Sequence, residues 1–454
     1  MKTTQKLNLQ KTNNFMPRMN NRKNSDNKKE SAKNISQKKH NEKSTKTTAS
    51  KSSSTFSSYL FDTKSLNRET INILNTFDEI IQSVRPLNSR QIQQLPENIR
   101  KLSHQLTDDR ASRRLGYMND NIQLTSYVRY YTWWNLVRLT RLFANLPAAM
   151  FPASDCICLD LGSGPLTVVT ALWLARPELR KLKLTWYCLD VSANSLSLGE
   201  DIFLTVAAKT AEEPWNIIRV KGNFGTQIKQ KAGFLSCANM LNELDQASDM
   251  PPEFQTKNYY EHFERYCEKG AGILLVEPGV PKAARTLSLL RTRYIKDGRK
   301  VTAPCTHECD CPMSGFKAYT GSKNKWCNFA FSTEDAPLRL QKLSDLAKLP
   351  KERATLSFIA VEDARIKHEK NASENQDNTL IRITSDKLRL PNYMCGFYGC
   401  SQYGLVLITL PDENNTRLQK PPFRPKSGDL ICVKIKTPDS LPVDEKSGAL
   451  IIEL

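Results

Sequence analysis

The chain has 454 residues and a formal net charge of +19, which is length enough for two or three domains. Hydrophobic residues make up 39%, below the about 45–50% of ordinary globular chains. No run of about 18 apolar residues and no apolar leader core occur, so neither a membrane span nor a secreted, disulfide-built protein is expected.

The shortage of apolar residues is local. Residues 1–51 hold 14 Lys+Arg against 3 Asp+Glu, a net of +11, among Asn, Ser, Thr and Gln. Such a segment cannot bury enough surface to fold alone, so residues 1–54 read as a disordered basic tail. A lysine-rich arm either keeps the chain solvated or exchanges counterions with nucleic-acid phosphates. Mitochondrial presequences are Arg-rich and poor in acids. Here only Arg18 and Arg22 occur, and Asp26, Glu30 and Glu42 interrupt, so a presequence is not favoured.

Residues 55–150 read as a helical region. Ile73, Phe77, Ile80, Ile81 and Val84 recur at helical spacing, with Pro86 and Pro96 as punctuation. Tyr127, Tyr130, Tyr131, Trp133 and Trp134 then cluster among Arg129, Arg138 and Arg141. Such a stretch is either a core-packing helix or a surface for base stacking and phosphate contact.

From residue 155 strands and helices alternate, which predicts a parallel α/β sheet over 151–300. The first strand runs into Asp160-Leu161-Gly162-Ser163-Gly164-Pro165, and a helical pattern follows at once. Glycines permit a sharp turn and close approach of a ligand, and Pro165 suits the first helical position. A dinucleotide fingerprint would need a third glycine at 167, where Thr167 stands. The S-adenosylmethionine (SAM) loop of class I methyltransferases needs an acid before the glycines and another closing the next strand. Asp160 and Asp190 supply them. Ligands in such sheets bind at the carboxyl ends of strands, so Asp160, Gly162, Ser163, Gly164, Asp190, Asn223 and Asn239 are the candidate cofactor-binding residues. No catalytic residue is assigned. The segment Asn239-Met240-Leu241-Asn242-Glu243 lacks the Pro-Pro pair of base N-methyltransferases, and Glu243 is either a base or a structural group.

None of the twelve cysteines precedes Cys156, and six lie between 305 and 400. Cys305, Cys309 and Cys311 fall within seven residues beside Pro304, Asp310 and Pro312; Cys327, Cys395 and Cys400 follow. Thiolates at short spacing among turn residues suit zinc or an iron–sulfur cluster. Later strands are predicted at Leu356–Val361, Leu405–Thr409 and Leu430–Ile435, with 411–428 as a loop.

Leu275-Val276-Glu277-Pro278-Gly279-Val280-Pro281, Ala303-Pro304-Cys305-Thr306-His307, Cys311-Pro312 and Trp326-Cys327-Asn328-Phe329 together carry a resemblance. Over roughly residues 110–410 the chain resembles the methyltransferase-like assembly-factor family of the mitochondrial small ribosomal subunit, which has bacterial members. Thr306 and Asn328 depart from the family's Pro and His. The resemblance implies a class I SAM-methyltransferase (Rossmann-like) sheet carrying a cysteine-rich insertion over 301–400 and a β-rich segment over 401–454. It implies a [4Fe-4S] cluster on Cys305, Cys311, Cys327 and Cys400; the spacing alone leaves zinc as the alternative group, and Cys309 and Cys395 are alternative ligands in this sequence. It also implies association with rRNA and proteins of the small ribosomal subunit. The resulting expectation is a monomeric SAM-dependent methyltransferase-like protein of ribosome assembly, in the bacterial cytoplasm or else the mitochondrial matrix. Whether it transfers a methyl group is left open. The rival is an active methyltransferase of a protein or small molecule with a structural zinc.

Overall fold

A computed structural model describes residues 54–107, 116–246, 250–316, 325–364, 378–413, 423–435 and 437–454. The basic tail, apart from Ser54, lies outside them. By contacts the chain divides after Ser50, and Lys51–Leu454 is one compact unit.

Strand β1 (Ser54–Tyr59) opens the described chain, ahead of helices α1 (Arg68–Asn75), α2 (Phe77–Val84) and α3 (Ser89–Thr107). Asn67 caps α1 by accepting the Thr70 N–H at 2.7 Å. The helical spacing of Ile73, Phe77, Ile80 and Ile81 puts all four in the core. Pro96 lies inside α3 and does not end it. Asp120 caps α4 (Asn121–Ser126), and a π-helical stretch over Tyr127–Thr132 leads into α5 (Trp133–Ala144).

This aromatic and arginine stretch is interior. Tyr130, Trp133 and Trp134 are buried; the Trp133 indole donates to Leu74 O at 2.7 Å, and the Trp134 indole to Ser344 Oγ at 3.1 Å. Arg129 donates to Gln82 Oε1 and Arg85 O, and Arg141 pairs with Asp335 at 2.7 Å. Of the two readings offered above, the core-packing helix is the one found: these side chains are engaged with neighbouring elements.

The central sheet is built from β2 (Ile157–Leu161), α6 (Thr167–Ala175), β3 (Thr185–Asp190), α7 (Ala193–Lys209), β4 (Asn216–Lys221), β5 (Ala232–Ala238), α8 (Leu241–Gln246), α9 (Pro252–Tyr266), β6 (Cys267–Glu277), α10 (Pro281–Lys296), β7 (Val301–Ala303), β8 (Phe329–Ser332), α11 (Leu338–Leu346) and β9 (Arg353–Val361). Strand order is β4-β3-β2-β5-β6-β9-β7. The strands from β4 to β6 are parallel, and β9 runs antiparallel between β6 and β7. Successive residues serve opposite faces. Trp186 and Cys188 pack with Trp173, Phe203 and Trp215 on one side; Tyr187 and Leu189 pack with Tyr259, Phe263 and Tyr294 on the other. A strand buried on both faces reads as a continuous apolar run, which is why the sequence shows β3 clearly. Strand order reverses beside β2, and the open crevice at that switch point is where a ligand fits. The fold is an α/β, Rossmann-like sheet.

A second sheet adds β10 (Asn378–Ile383), β11 (Leu388–Leu390), β12 (Met394–Ser401), β13 (Gly404–Pro411), β14 (Asp429–Lys434) and β15 (Leu450–Glu453). Its order is β1-β14-β10-β12-β13-β15, with β11 against β12. β1 takes the place of the helix expected from residue 55, because β14 offers it an edge.

Gly199 in α7 faces the turn after β2. A Cβ there would lie 2.4 Å from the carbonyl carbon of Pro165 and 2.7 Å from its Cα. Alanine is the better helix former by about 1 kcal/mol, but the contact is with backbone. Gly199→Ala is therefore expected to destabilise the protein by about 1–3 kcal/mol, read as a lowered thermal midpoint. An unchanged or raised midpoint would show that the turn can yield.

Candidate functional site

The turn after β2 is shaped by left-handed residues: Gly162 (φ 65°), Gly164 (φ 51°) and Leu166 (φ 52°). A Cβ on Gly162 would come within 2.7 Å of Met240 Cβ, so this glycine lets two loops meet. The Ser163 N–H donates to Leu189 O at 3.1 Å, and Ser163 Oγ donates to Asp160 O at 2.7 Å. Pro165 is not the first helical residue: Leu166 occupies the left-handed cap position and α6 begins at Thr167.

Asp190 closes β3 and holds this turn. Its Oδ2 accepts the Gly164 N–H at 2.9 Å and its Oδ1 the Ser192 N–H at 2.8 Å. A carboxylate has about four lone-pair sites, so each oxygen keeps one for a ligand. Burial pushes its pKa up, and the backbone donors oppose that shift. Asp160 lies lower. It is fully buried, its Oδ1 accepts from Ser236 Oγ at 2.7 Å, and its Oδ2 has no hydrogen-bond partner. Burial pushes its carboxyl up to about 7.

A cavity of roughly 400 Å³ opens above the turn. Gly162, Ser163, Gly164, Asp190, Asn223 and Asn239 line it, so six of the seven residues singled out from sequence converge. Asp160 is not among the lining residues; it supports the turn from beneath. The sequence reading missed Tyr117, Tyr127 and Asn135, which the N-terminal helical region contributes, along with Met240. Tyr127 was visible in the aromatic cluster, but no pattern distinguished it from its buried neighbours. Asn239 (φ 62°) accepts from Arg138 Nη2 at 3.1 Å, and Arg138 Nη1 donates to Thr355 O on β9 at 2.9 Å. Glu243 lines the cavity on α8, whose first N–H groups, those of Leu241 and Asn242, are taken by the buried carboxylate of Glu277 at 2.9 and 3.1 Å.

The glycine turn, the carboxylate at the end of the second parallel strand and an enclosed crevice fit a nucleoside-bearing cofactor such as SAM.

A second, small cavity lies beyond α10. Cys305, Cys311, Cys327 and Cys400 line it together with His307, Arg291 and Arg382. Cys305 and Cys311 follow β7, Cys327 precedes β8, and Cys400 lies in β12. Arg291 Nε donates to Cys305 Sγ at 3.0 Å, and a ring nitrogen of His307 lies 3.1 Å from Cys400 Sγ. Burial pushes the Cys305, Cys327 and Cys400 thiols up. Burial pulls Arg291 down, but the Cys305, Cys311 and Cys400 charges outweigh it and the net shift is upward. Cys309 is exposed, and Cys395 is buried in the core of the second sheet; neither lines the cavity. Among the described residues no group of three or more His, Cys, Asp or Glu side chains is arranged to hold a metal ion. The thiols share a cavity without closing to ligating geometry. Nor is any described helix long and apolar enough to cross a membrane.

Asp160 makes stability depend on pH. Burial holds its pKa at about 7 in the folded chain, well above the ordinary aspartate value of about 4. Between these values the unfolded chain has lost a proton that the folded chain keeps, so stability falls as pH rises from about 4 to 7. Asp160→Asn is expected to remove Asp160's share of that fall, Glu277 and Asp429 retaining theirs, so its thermal midpoint gains on the parent across this window. Parallel pH profiles would show that Asp160 is ionised in the folded chain.

The family model for the mitochondrial small ribosomal subunit protein Rsm22 matches residues 139–390, more than half of the chain. Among curated proteins none matches significantly. Solved structures that resemble it include a SAM-dependent methyltransferase from Thiobacillus denitrificans in complex with S-adenosyl-L-homocysteine, at 12% identity and TM-score 0.29, covering 50% of this chain and 90% of that one. Another, from Geobacter sulfurreducens, has the same identity and coverages at TM-score 0.28. A ribosomal protein L11 methylase from Lactobacillus delbrueckii subsp. bulgaricus has 13% identity and TM-score 0.23, covering 37% of this chain and 69% of that one. The matched segment takes in both the cavity-forming strands and three of the four clustered cysteines, and the chain belongs to the mitochondrial small ribosomal subunit Rsm22 family.

Proposed function

We propose that this protein binds SAM in the cavity above the glycine turn and acts in assembly of the small ribosomal subunit, in contact with its rRNA. The observation that carries the cofactor reading is the convergence of Gly162, Gly164 and Asp190, distant in sequence, on one crevice at the strand-order switch point. Family membership supports the ribosomal context, and the family's description favours the mitochondrial matrix over the cytoplasm. SAM would supply an electrophilic methyl group, and Asn239 and Glu243 are polar groups lining the same cavity. Whether a substrate reaches it decides between an enzyme and a SAM-fold platform.

We further propose that Cys305, Cys311, Cys327 and Cys400 hold a [4Fe-4S] cluster. Four thiols from three separate segments lining one cavity support a shared ligand, and sulfur donors suit iron–sulfur or zinc. Because the site is absent from the unfolded chain, the group's binding free energy becomes folding free energy.

The direct test of the ribosomal reading is crosslinking to RNA in cells followed by sequencing. Enrichment of small-subunit rRNA is expected; a profile without it would favour a protein or small-molecule substrate.

The cofactor reading is checked by calorimetry on Asp190→Ala. Losing charge-assisted bonds to ribose should cost about 1.5–3 kcal/mol, or about 10–150-fold in SAM affinity. A parent that does not bind SAM, or a variant that binds as well, would leave the fold as a scaffold only.

For the thiol site, Cys311→Ser is expected to lower metal content and thermal midpoint together, whereas Cys309→Ser changes neither. An absorption spectrum of anaerobically purified protein separates the two groups: a visible charge-transfer band means iron–sulfur, and a colourless protein containing zinc means the alternative. Equal metal content in both variants would show the ligand set to be wrong.

A further inference from the structure

Two buried arginines face the thiol cavity with no ion-paired carboxylate among the described residues. Arg291, on α10, is 3% exposed; its hydrogen bonds go to Cys305 Sγ at 3.0 Å, His307 O at 2.7 Å and Cys309 O at 2.9 Å. Arg382, on β10, is 7% exposed and donates to Pro304 O at 3.1 Å and Gly428 O at 2.8 Å. Asp429 attracts Arg382 from a distance, but Asp429 Oδ2 is occupied by the Lys426 N–H. Of the five other buried arginines, Arg141 pairs with Asp335, Arg176 with Glu178, and Arg180 with Glu69 and Glu212, while Arg129 and Arg138 are held by neutral oxygen acceptors; Arg291 differs from these in donating to a thiol sulfur.

An unpaired buried charge is costly, and carbonyl oxygens offset only part of that cost. Neutral thiols are weak acceptors and would leave Arg291 facing the cavity with no hydrogen-bonded carboxylate, and Arg382 with only the distant Asp429. Four thiolates around a centre of charge +2 carry a net charge of −2, whether the centre is one divalent ion or an oxidised [4Fe-4S] core. The two guanidinium groups match that charge.

We propose that Arg291 and Arg382 are positioning residues that balance the charge of a dianionic, thiolate-ligated metal centre. This rests on the four-cysteine reading above. Arg291 fixes the Cys305 sulfur and the 307–309 backbone through three hydrogen bonds. Arg382 fixes the turn at Pro304, immediately before Cys305. Together they hold the ligand loop where the developing negative charge will lie, the role that outer-sphere partners play at metal sites generally.

The test uses the full chain purified anaerobically, or reconstituted with ferrous iron and sulfide or with zinc. Arg291→Met and Arg382→Met remove charge while keeping bulk; Arg291→Lys keeps the charge. The methionine variants are expected to lose metal to EDTA about 10–100-fold more readily than the parent, and Arg291→Lys to recover much of that retention. In the metal-free state the methionine variants should melt no lower than the parent, because an uncompensated buried charge has gone. If an iron–sulfur cluster is present, its reduction potential should fall in both methionine variants, since a nearby positive charge favours the added electron. Methionine variants that hold metal as the parent does would overturn the proposal and leave the four-cysteine reading intact. Equal destabilisation with and without metal would mean that the arginines only pack. A parent that takes up neither iron nor zinc would overturn both readings.

Discussion

The buried carboxylate of Glu277 joins the two candidate sites. From the carboxyl end of β6 it takes up the first N–H groups of α8, which otherwise have no intrahelical partner. That fixes the wall carrying Glu243. Across the sheet Glu277 stands in register with Ser357 of β9, and the Ser357 hydroxyl donates to Cys327 O at 2.7 Å. Two residues on, Gly279 O accepts from the side chains of Trp326 and Asn328, on either side of Cys327. A Cβ on Gly279 would lie 3.1 Å from Thr355 Cβ, which is tight for any other residue. Helix α10 makes a second link. Lys282 and Thr286 hold Asp245 of α8, and Arg291, further along the helix, reaches Cys305. The Val-Glu-Pro-Gly segment and the helix after it thus form one support for both cavities.

The parallel sheet could be read from sequence because each of its strands carries its own evidence. A strand buried on both faces is a short apolar run whatever it pairs with, and its polar end residue marks the carboxyl edge. Asp190 and the glycine turn were found this way. The antiparallel second sheet carries less of that evidence. β1 is a strand because β14 pairs with it, some 370 residues later, and nothing within Ser54–Tyr59 announces that partner. The same limit applies to Tyr127–Arg141. Aromatic and arginine residues interleave in an RNA-binding surface and in a helix packed among other helices. Only the acceptors, such as Gln82, Leu74 and Asp335, distinguish the two.

At the sites, the residue types were legible and their directions were not. Asp160 precedes the glycines as a SAM loop requires, yet its side chain meets Ser236 inside the sheet while the next turn faces the crevice. Cys395 and Cys400 show the rule behind this. They are five residues apart in β12, an odd interval, so a regular strand sends them to opposite faces. Sequence could say that at most one of them joins the other cysteines. It could not say which face held Cys305, because that follows from pairing between β12 and β10, where Cys400 stands opposite Arg382.

Charge divides the chain differently from fold. Residues 1–51 carry +11, which leaves +8 for the remaining 403 residues. Positive charge per residue is therefore about ten times higher in the tail. Attraction to phosphate sums over accessible cations and falls with salt by about 0.7 of a log unit per contact on a single strand, whatever the base sequence. Preference for one RNA over another instead needs groups held in fixed positions. The tail has the composition for the first task, with Phe15 as its sole aromatic residue.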